Sequence, residues 1–388
     1  MKPYAVLHEQ DLSKIESQAA LILSEIGVEL QNDAQSLEAM ASTGARIENM
    51  RVYPDADALR DLIASAPPSF KWHGATGAAA VDVGGNQPVI APTFGPPRVQ
   101  LDDGTIRLGT LADYRALVLL CDEFRDMDST GFLLCIPHDG VETSPYIDMA
   151  RAHLDLSDKP MMGTVISEEA LRGVAAAVGV TDSESPVCRL LHMVNLTPPL
   201  VYQPNPLQCL RASSLLGQAT VVSSYMMMGA TAPVSVAGAL AQGLAEILVG
   251  LALTQIYRPG APIVGGLFAT PFSMQFMGPI FGTPESFLAQ VAGCQLVRRL
   301  GIPTRGDGML TSSKTNDAQA GYEGSLALGA SALAGADLIL HSAGWLDFGR
   351  LYGMDKLRSD MALLAGTRAA YANARPDTNE RLSSSAQI

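Results

Sequence analysis

Cysteine is sparse and unpaired in this sequence. Cys121, Cys135, Cys188, Cys209 and Cys294 are scattered among apolar neighbours with no CxxC spacing, which excludes a local redox pair or zinc ribbon and leaves reduced, buried thiols. The six histidines form neither HxH nor HExxH, so local spacing gives no metal site. Positive charge is short as well: 26 Lys and Arg stand against 39 Asp and Glu, a formal net charge of −13. A phosphate-backbone binder needs clustered cations, so nucleic acid is not an expected partner. The start, MKPYAVLHEQDLSKIESQAA, carries charges where a signal peptide would place its apolar core, and a cytoplasmic chain is expected. The most apolar long stretch, residues 234–257, holds Gln242, Glu246 and Gln255, so it reads as a helix buried in protein rather than in lipid. No membrane partner is expected.

What is abundant is apolar residues, 47% against 17% charged, enough for a large core. Helical periodicity at 11–26 and 33–42, followed by a strand-turn stretch ending in WHGATGAAAVDVGGN, marks residues 1–87 as a mainly helical N-terminal cap or lid. From Pro88 onward β-rich runs alternate with helical segments. The runs are 88–95, 127–135, 160–166, 188–195, 220–228, 261–269, 303–310 and 337–345. Helices are expected to begin near Thr110, Thr143, Ser167, Pro204, Val234, Thr283, Asn316 and Asp347, several of them opened by an N-cap residue. Eight strands each followed by a helix predict a (β/α)8 TIM barrel over 88–372, with a polar tail at 373–388; no GxGxxG turn supports a doubly wound sheet instead. Residues 95–107 read as a hairpin turning at Asp102-Asp103-Gly104.

In such a barrel the active site lies at the carboxyl ends of the strands. That rule nominates Phe94 and Arg98, His138 and Asp139, Asn195, the 226–229 stretch with Met227, Phe268 and Phe272, Asp307 and Lys314, and His341 and Trp345. Although the chain is only 6% aromatic, these positions are rich in rings and thioethers and poor in acid-base groups, which suits a pocket for a cation. The other reading is that Phe94, Phe268, Phe272 and Phe281 cap the core. Phe94, Phe268, Trp345 and Met227 are taken as substrate contacts, and Arg98 as a grip on a carboxylate, with a surface ion pair as its alternative. Asp307 is the candidate for holding a cation or a water, and His341 either bonds substrate or anchors a loop. A Schiff-base role for Lys314 or Lys159 ranks last. Glu246, mid-helix, must be paired or protonated, most simply as a helix-packing hydrogen bond.

The runs MGATAPVSVAGALAQGLAEILVGLALTQIYRPGAPIVGG, FGTPES, GDGMLTSSKTNDAQAGYEGSLAL and GADLILHSAGWLD resemble the trimethylamine methyltransferase superfamily, and similarity extends from about Glu25 to Lys356. The resemblance implies a (β/α)8 barrel that moves a methyl group from a methylated amine to the cobalt of a corrinoid on a separate protein, with no cofactor bound tightly by the chain itself. In the trimethylamine enzymes the site carries pyrrolysine; this sequence has none, and the corresponding region, about Gly306 to Lys314, holds ordinary residues as in the glycine betaine branch. A quaternary ammonium leaves as a neutral amine, so the protein has mainly to position and desolvate it. The family is expected to continue past the 352–360 region into a Gly-rich turn with a His-Thr pair, where this chain reads ARPDTNERLSSSAQI. The alternative expectation is therefore a betaine-binding paralogue with impaired turnover. A homo-oligomer is expected.

Overall fold

The computed structural model describes residues 3–140, 144–181 and 187–373. Among them are eleven α-helices: α1 Glu9–Leu21, α2 Ala34–Ala41, α3 Ala56–Ile63, α4 Leu111–Glu123, α5 Pro145–Leu156, α6 Glu168–Ala177, α7 Pro204–Leu215, α8 Val236–Tyr257, α9 Pro284–Arg298, α10 Ala318–Ala334 and α11 Met354–Asn373. Their starts follow the capping residues. Thr110 and Asp113 form a reciprocal capping box at α4, and the side chains of Ser167, Ser235, Thr283 and Asp317 each accept the backbone N–H three residues on. The helix start expected near Thr143 lies outside the described residues.

The helix expected from Asp347 begins later. Asp347, Phe348 and Gly349 have φ of 47°, 58° and 83°, which breaks α-helical geometry. A short 3-10 turn and the strand Leu351–Gly353 come first, and α11 opens at Met354.

Parallel strands alternate with the helices. The strand Leu190–Asn195 pairs with Met161–Met162 on one side and Ala219–Met228 on the other, and Ala219–Met228 pairs with Ile263–Ser273. Arg305–Asp307 pairs with Leu338–Leu340, which pairs with Val89–Ile90. The two groups touch at a parallel bridge, Gly265 to Thr304. At the other edge Asp128 and Ser129 donate backbone N–H groups to Ile90 O, and Gly131 bridges Met161. The expected strand at 127–135 is reduced to that contact, because Gly131 turns to φ 70° and the chain leaves the extended region. The last expected run stops at Leu340, where His341 takes φ 58°. The hairpin is present as Arg98–Gln100 against Ile106–Leu108, with Gly104 at φ 84° in its turn.

Residues before 88 supply α1, α2, α3 and short strands. Helices α1 and α3 pack on α8. The hairpin Phe70–His73 with Ala80–Val83 meets the amino end of the Leu190–Asn195 strand: His73 N–H donates to Cys188 O (2.8 Å) and the buried Trp72 donates Nε1–H to Arg189 O (3.2 Å). The hairpin thus sits at the amino ends of the strands, while α1 and α3 lie against α8 and the strand Val28–Leu30 pairs in parallel with Val201–Tyr202, beyond the carboxyl end of Leu190–Asn195.

Helix α8 is the one described helix long and apolar enough to cross a membrane, yet its most apolar window is 83% buried inside the protein. Leu240, Leu244, Ile247, Leu248 and Leu251 have no exposure, and each contributes about 1.5–3 kcal/mol relative to an exposed position. The period-2 alternation of the strands decides which side chains meet the helices. Gly265 faces α9, with Val297 Cγ1 2.7 Å from where a Cβ would stand, and Gly306 faces Ser331 on α10 and Ala336 just beyond it. Gly266, Phe268, Arg305 and Asp307 therefore share the helix-free face.

Candidate functional site

On that face, at the carboxyl ends of the strands, Arg305 and Asp307 form an ion pair with Nη1 and Oδ1 2.6 Å apart. The guanidinium carbon lies 4.9 Å from the centroid of the Phe268 ring. Phe268 stacks on Tyr225 (4.4 Å, 18°) and lies near-parallel to Phe281 at 6.4 Å. Phe281 meets Trp345 edge-on at 6.2 Å, and Trp345 meets His341 at 4.7 Å. Phe268, Phe281, Leu310 and Trp345 close over the pair as one apolar cluster.

Arg305 has a side-chain exposure of 0%. Asp307 is its ion-pair partner; the 2.6 Å Nη1–Oδ1 contact is poorly aligned for a hydrogen bond, and Nε and Nη2 have no partner beyond it. Buried polar groups are rarely left in that state, and a charge far less often. Burial pushes the Asp307 carboxyl above its ordinary range against the pull of Arg305. Burial also pushes His341 far down, and the positive Arg305 adds to that. The Phe94 backbone N–H donates to His341 Nδ1 (3.2 Å), so that nitrogen carries a lone pair and the neutral ring holds its proton on Nε2.

The loops over the site are stitched together. Trp345 donates Nε1–H to Thr311 O (3.0 Å). Glu323 of α10 accepts from Thr311 Oγ1 (2.6 Å) and from Ser312 N (2.7 Å). The Gly344 N–H donates to Asp360 Oδ2 (2.9 Å), and Asp360 is paired with the equally buried Lys356. Asp360 is pushed up to about 6 by burial, opposed by that lysine.

Of the residues nominated by sequence, Phe268, Asp307, His341 and Trp345 meet here, and Phe94 joins through its backbone. Met227 lies two residues beyond Tyr225 on its strand, in register with Thr270, and is not part of the cluster around Phe268. Arg98 is exposed on the hairpin, between Leu108 and Leu351 in register; it does not reach the cluster. Phe272 pairs with Pro279 in the outer hairpin. His138 bonds Gly109 O through Nδ1 (2.6 Å), and Asp139 accepts from Leu111 N (2.7 Å) at the start of α4, so both shape loops. Asn195 and Lys314 are exposed. Lys159 caps the end of α4 through three carbonyls, Cys121, Asp122 and Phe124. Glu246 accepts from Ser224 Oγ, Leu200 N (2.7 Å) and Gln242 Nε2 (2.9 Å) and is pushed up to about 7 by burial; it is a packing hydrogen-bond centre behind the site.

Arg305 and Tyr225 were missed. A fully buried arginine runs against the usual partition of charge, and the rule that nominates carboxyl ends of strands passes over Arg305 because it lies inside the 303–310 run. The signal that could have found it is the Gly265-Gly266 pair inside an apolar strand, since glycine there marks close approach of another group. A Cβ on Gly266 would stand 2.8 Å from Arg305 Cδ.

Beside Phe268 and Asp307 lies a cavity of about 20 Å³, room for roughly one water. Outside it, an open cleft of about 530 Å³ is lined by Phe276, Pro279, Lys314, Phe348 and Arg350 among others.

By fold, then, this is an α/β protein with a buried ion pair and an aromatic cluster at the carboxyl ends of parallel strands. The chain belongs to the trimethylamine methyltransferase (MTTB) family, whose sequence profile matches residues 1–386. It is 33% identical to the glycine betaine methyltransferase of Desulfitobacterium hafniense (strain Y51) over 363 residues, covering 92% of this chain and 75% of that protein. It is 27% identical to the proline betaine:corrinoid methyltransferase of Eubacterium limosum, covering 90% of this chain and 74% of that one. A trimethylamine methyltransferase, MttB of Methanosarcina thermophila, matches at 32% over 45% of this chain and 36% of its own length. The fold is shared with the monomethylamine methyltransferase MtmB of Methanosarcina barkeri, at a TM-score of 0.56 and 13% identity over 96% of this chain and 83% of that one.

Proposed function

We propose that this chain moves a methyl group from a small betaine, a quaternary amine that carries a carboxylate, to the cobalt of a corrinoid held by a separate protein. The observation that carries this reading is the buried Arg305, whose ion pair with Asp307 leaves its nitrogens without well-aligned hydrogen bonds, set against an aromatic cluster. Guanidinium geometry suits a carboxylate, and ring faces suit a quaternary ammonium, at about 0.5–2 kcal/mol each. The names of the two betaine relatives support the substrate class and, for one of them, the corrinoid acceptor.

The residues then have a short list of tasks. Arg305 orients the substrate by its carboxylate. Phe268, Tyr225 and Trp345 present their rings to the methylated nitrogen and keep water away from it. His341, neutral and held at Nδ1 by Phe94, completes the wall without adding a positive charge beside the ammonium. No proton has to be supplied to a leaving group that departs as a neutral amine. The corrinoid, when its carrier docks, supplies reduced cobalt as the methyl acceptor, and the wide outer cleft is the approach we assign to it.

We further read the parallel strands, with residues 128–131, as one closed eight-stranded ring. The bonds from Ile90 to Asp128, from Gly131 to Met161 and from Gly265 to Thr304 support it. In this reading residues 1–87 are an appended segment, 88–372 the barrel and 373–388 a tail. The test of function is to mix purified protein, reduced cobalamin and a panel of betaines and follow the cobalt spectrum. Methyl-cobalt with at least one betaine is expected, and none with any member of the panel overturns the reading.

A further inference from the structure

We propose that the Arg305–Asp307 pair is an internal stand-in for the substrate's own charges, displaced end for end by a zwitterion. The incoming carboxylate takes the guanidinium, while the quaternary ammonium takes Asp307 and the face of Phe268. This rests on the betaine reading above and narrows it.

The pair is buried, Arg305 at 0% and Asp307 at 8% side-chain exposure. Removing one partner from a buried ion pair leaves the other charge uncompensated, which is strongly unfavourable. A lone carboxylate that captured Arg305 would orphan Asp307. A lone cation that captured Asp307 would orphan Arg305. A zwitterion leaves neither unpaired, so the site selects for both charges on one molecule.

The existing contact is also one that can be improved upon. Nη1 and Oδ1 are 2.6 Å apart, yet Arg305 Nε, Nη1 and Nη2 and Asp307 Oδ1 remain without well-aligned hydrogen bonds. A carboxylate meeting the guanidinium in plane would form the paired bonds that Asp307 does not. The exchange falls to the arginine side chain, because the strand is fixed: Ser331 Oγ accepts from Asp307 N (2.7 Å) and donates to Asp307 O (2.6 Å). Phe268 already lies 4.9 Å from the guanidinium carbon, so its ring passes from one cation to another. Because the two charges of the pair are in contact, the ligand that replaces them is compact, with ammonium and carboxylate one or two carbons apart.

The experiment is calorimetric binding at fixed ionic strength of glycine betaine, tetramethylammonium and acetate to the wild type and to Asp307→Asn. On the wild type, glycine betaine is expected to bind at least about 100-fold tighter than either half alone, since each half leaves a buried partner unpaired. In Asp307→Asn, betaine weakens about tenfold or more, while acetate gains about tenfold because Arg305 no longer has a partner to abandon. The wild-type comparison needs no variant to fold. Tetramethylammonium or acetate binding the wild type as tightly as betaine, or betaine and acetate both insensitive to Asp307→Asn, overturns the exchange and leaves the methyl-transfer reading standing. If no betaine binds at all, both fall.

Discussion

Gly266 makes room for Arg305: a Cβ there would lie 2.8 Å from the arginine Cδ and 3.0 Å from Ser223 Oγ. The stem of the buried cation runs across a backbone with no side chain to obstruct it. Gly266→Ala is therefore expected to displace the guanidinium, weakening betaine binding by about tenfold or more, with an overpacking cost of about 1–3 kcal/mol. Calorimetry and thermal melting separate the two effects. An unchanged dissociation constant would mean that Arg305 does not meet the ligand.

Phe268 faces Arg305 from the neighbouring strand and is the ring closest to the proposed ammonium. Phe268→Leu keeps much of the apolar bulk and removes the ring quadrupole. Betaine affinity is expected to fall by about 0.5–2 kcal/mol, or about 2- to 30-fold. Binding of 3,3-dimethylbutanoate, in which an uncharged carbon replaces the quaternary nitrogen, should change less, which titration of both ligands checks.

Glu246 sets a pH dependence of stability. Its carboxyl is raised from 4.5 to about 7 by burial, so between those values the folded chain binds a proton that the unfolded chain has released. Stability from this group accordingly falls as pH rises from about 4.5 to about 7 and stays low above it, by up to about 3 kcal/mol. Glu246→Gln retains acceptance from Leu200 N and Gln242 and lets its amide donate to Ser224. Melting temperatures measured at pH 5 and pH 8 should show the variant gaining on wild type at the higher pH. A constant difference would sink this assignment.

Lys356 and Asp360 hold the turn that carries Trp345. Both side chains are 1% exposed, and Asp360 also accepts from Gly344 N–H. Lys356→Met is expected to cost about 3–5 kcal/mol by leaving a buried carboxylate unpaired, less at acid pH where Asp360 takes a proton. The double change Lys356→Met with Asp360→Leu should recover part of that loss, read by denaturant midpoints.

Much of the architecture was legible because it is written locally. Thr110, Ser167, Thr283 and their partners fix helix starts by hydrogen bonds within one turn, and the short apolar run read at 220–228 is the strand Ala219–Met228. The failures are tertiary. The stretch at 127–135 is as apolar as a strand, but Gly131 turns it away, and nothing local distinguishes that glycine from one at a strand end. Phe268, Asp307, His341 and Trp345 followed from the rule that sites collect at carboxyl ends of strands. Arg98 was nominated by the same rule but lies exposed and away from that cluster, because the hairpin that carries it pairs with Leu351–Gly353. Arg305 stayed hidden since its burial depends on Gly266, a contact across strands far apart in sequence.

The most direct measurement is a crystal structure with glycine betaine bound. The carboxylate is expected within paired hydrogen-bond distance of the Arg305 guanidinium, the trimethylammonium against Phe268 and Asp307, and the Arg305–Asp307 contact broken. A betaine seated in the outer cleft beside Lys314 and Arg350, with the buried pair intact, would contradict this placement.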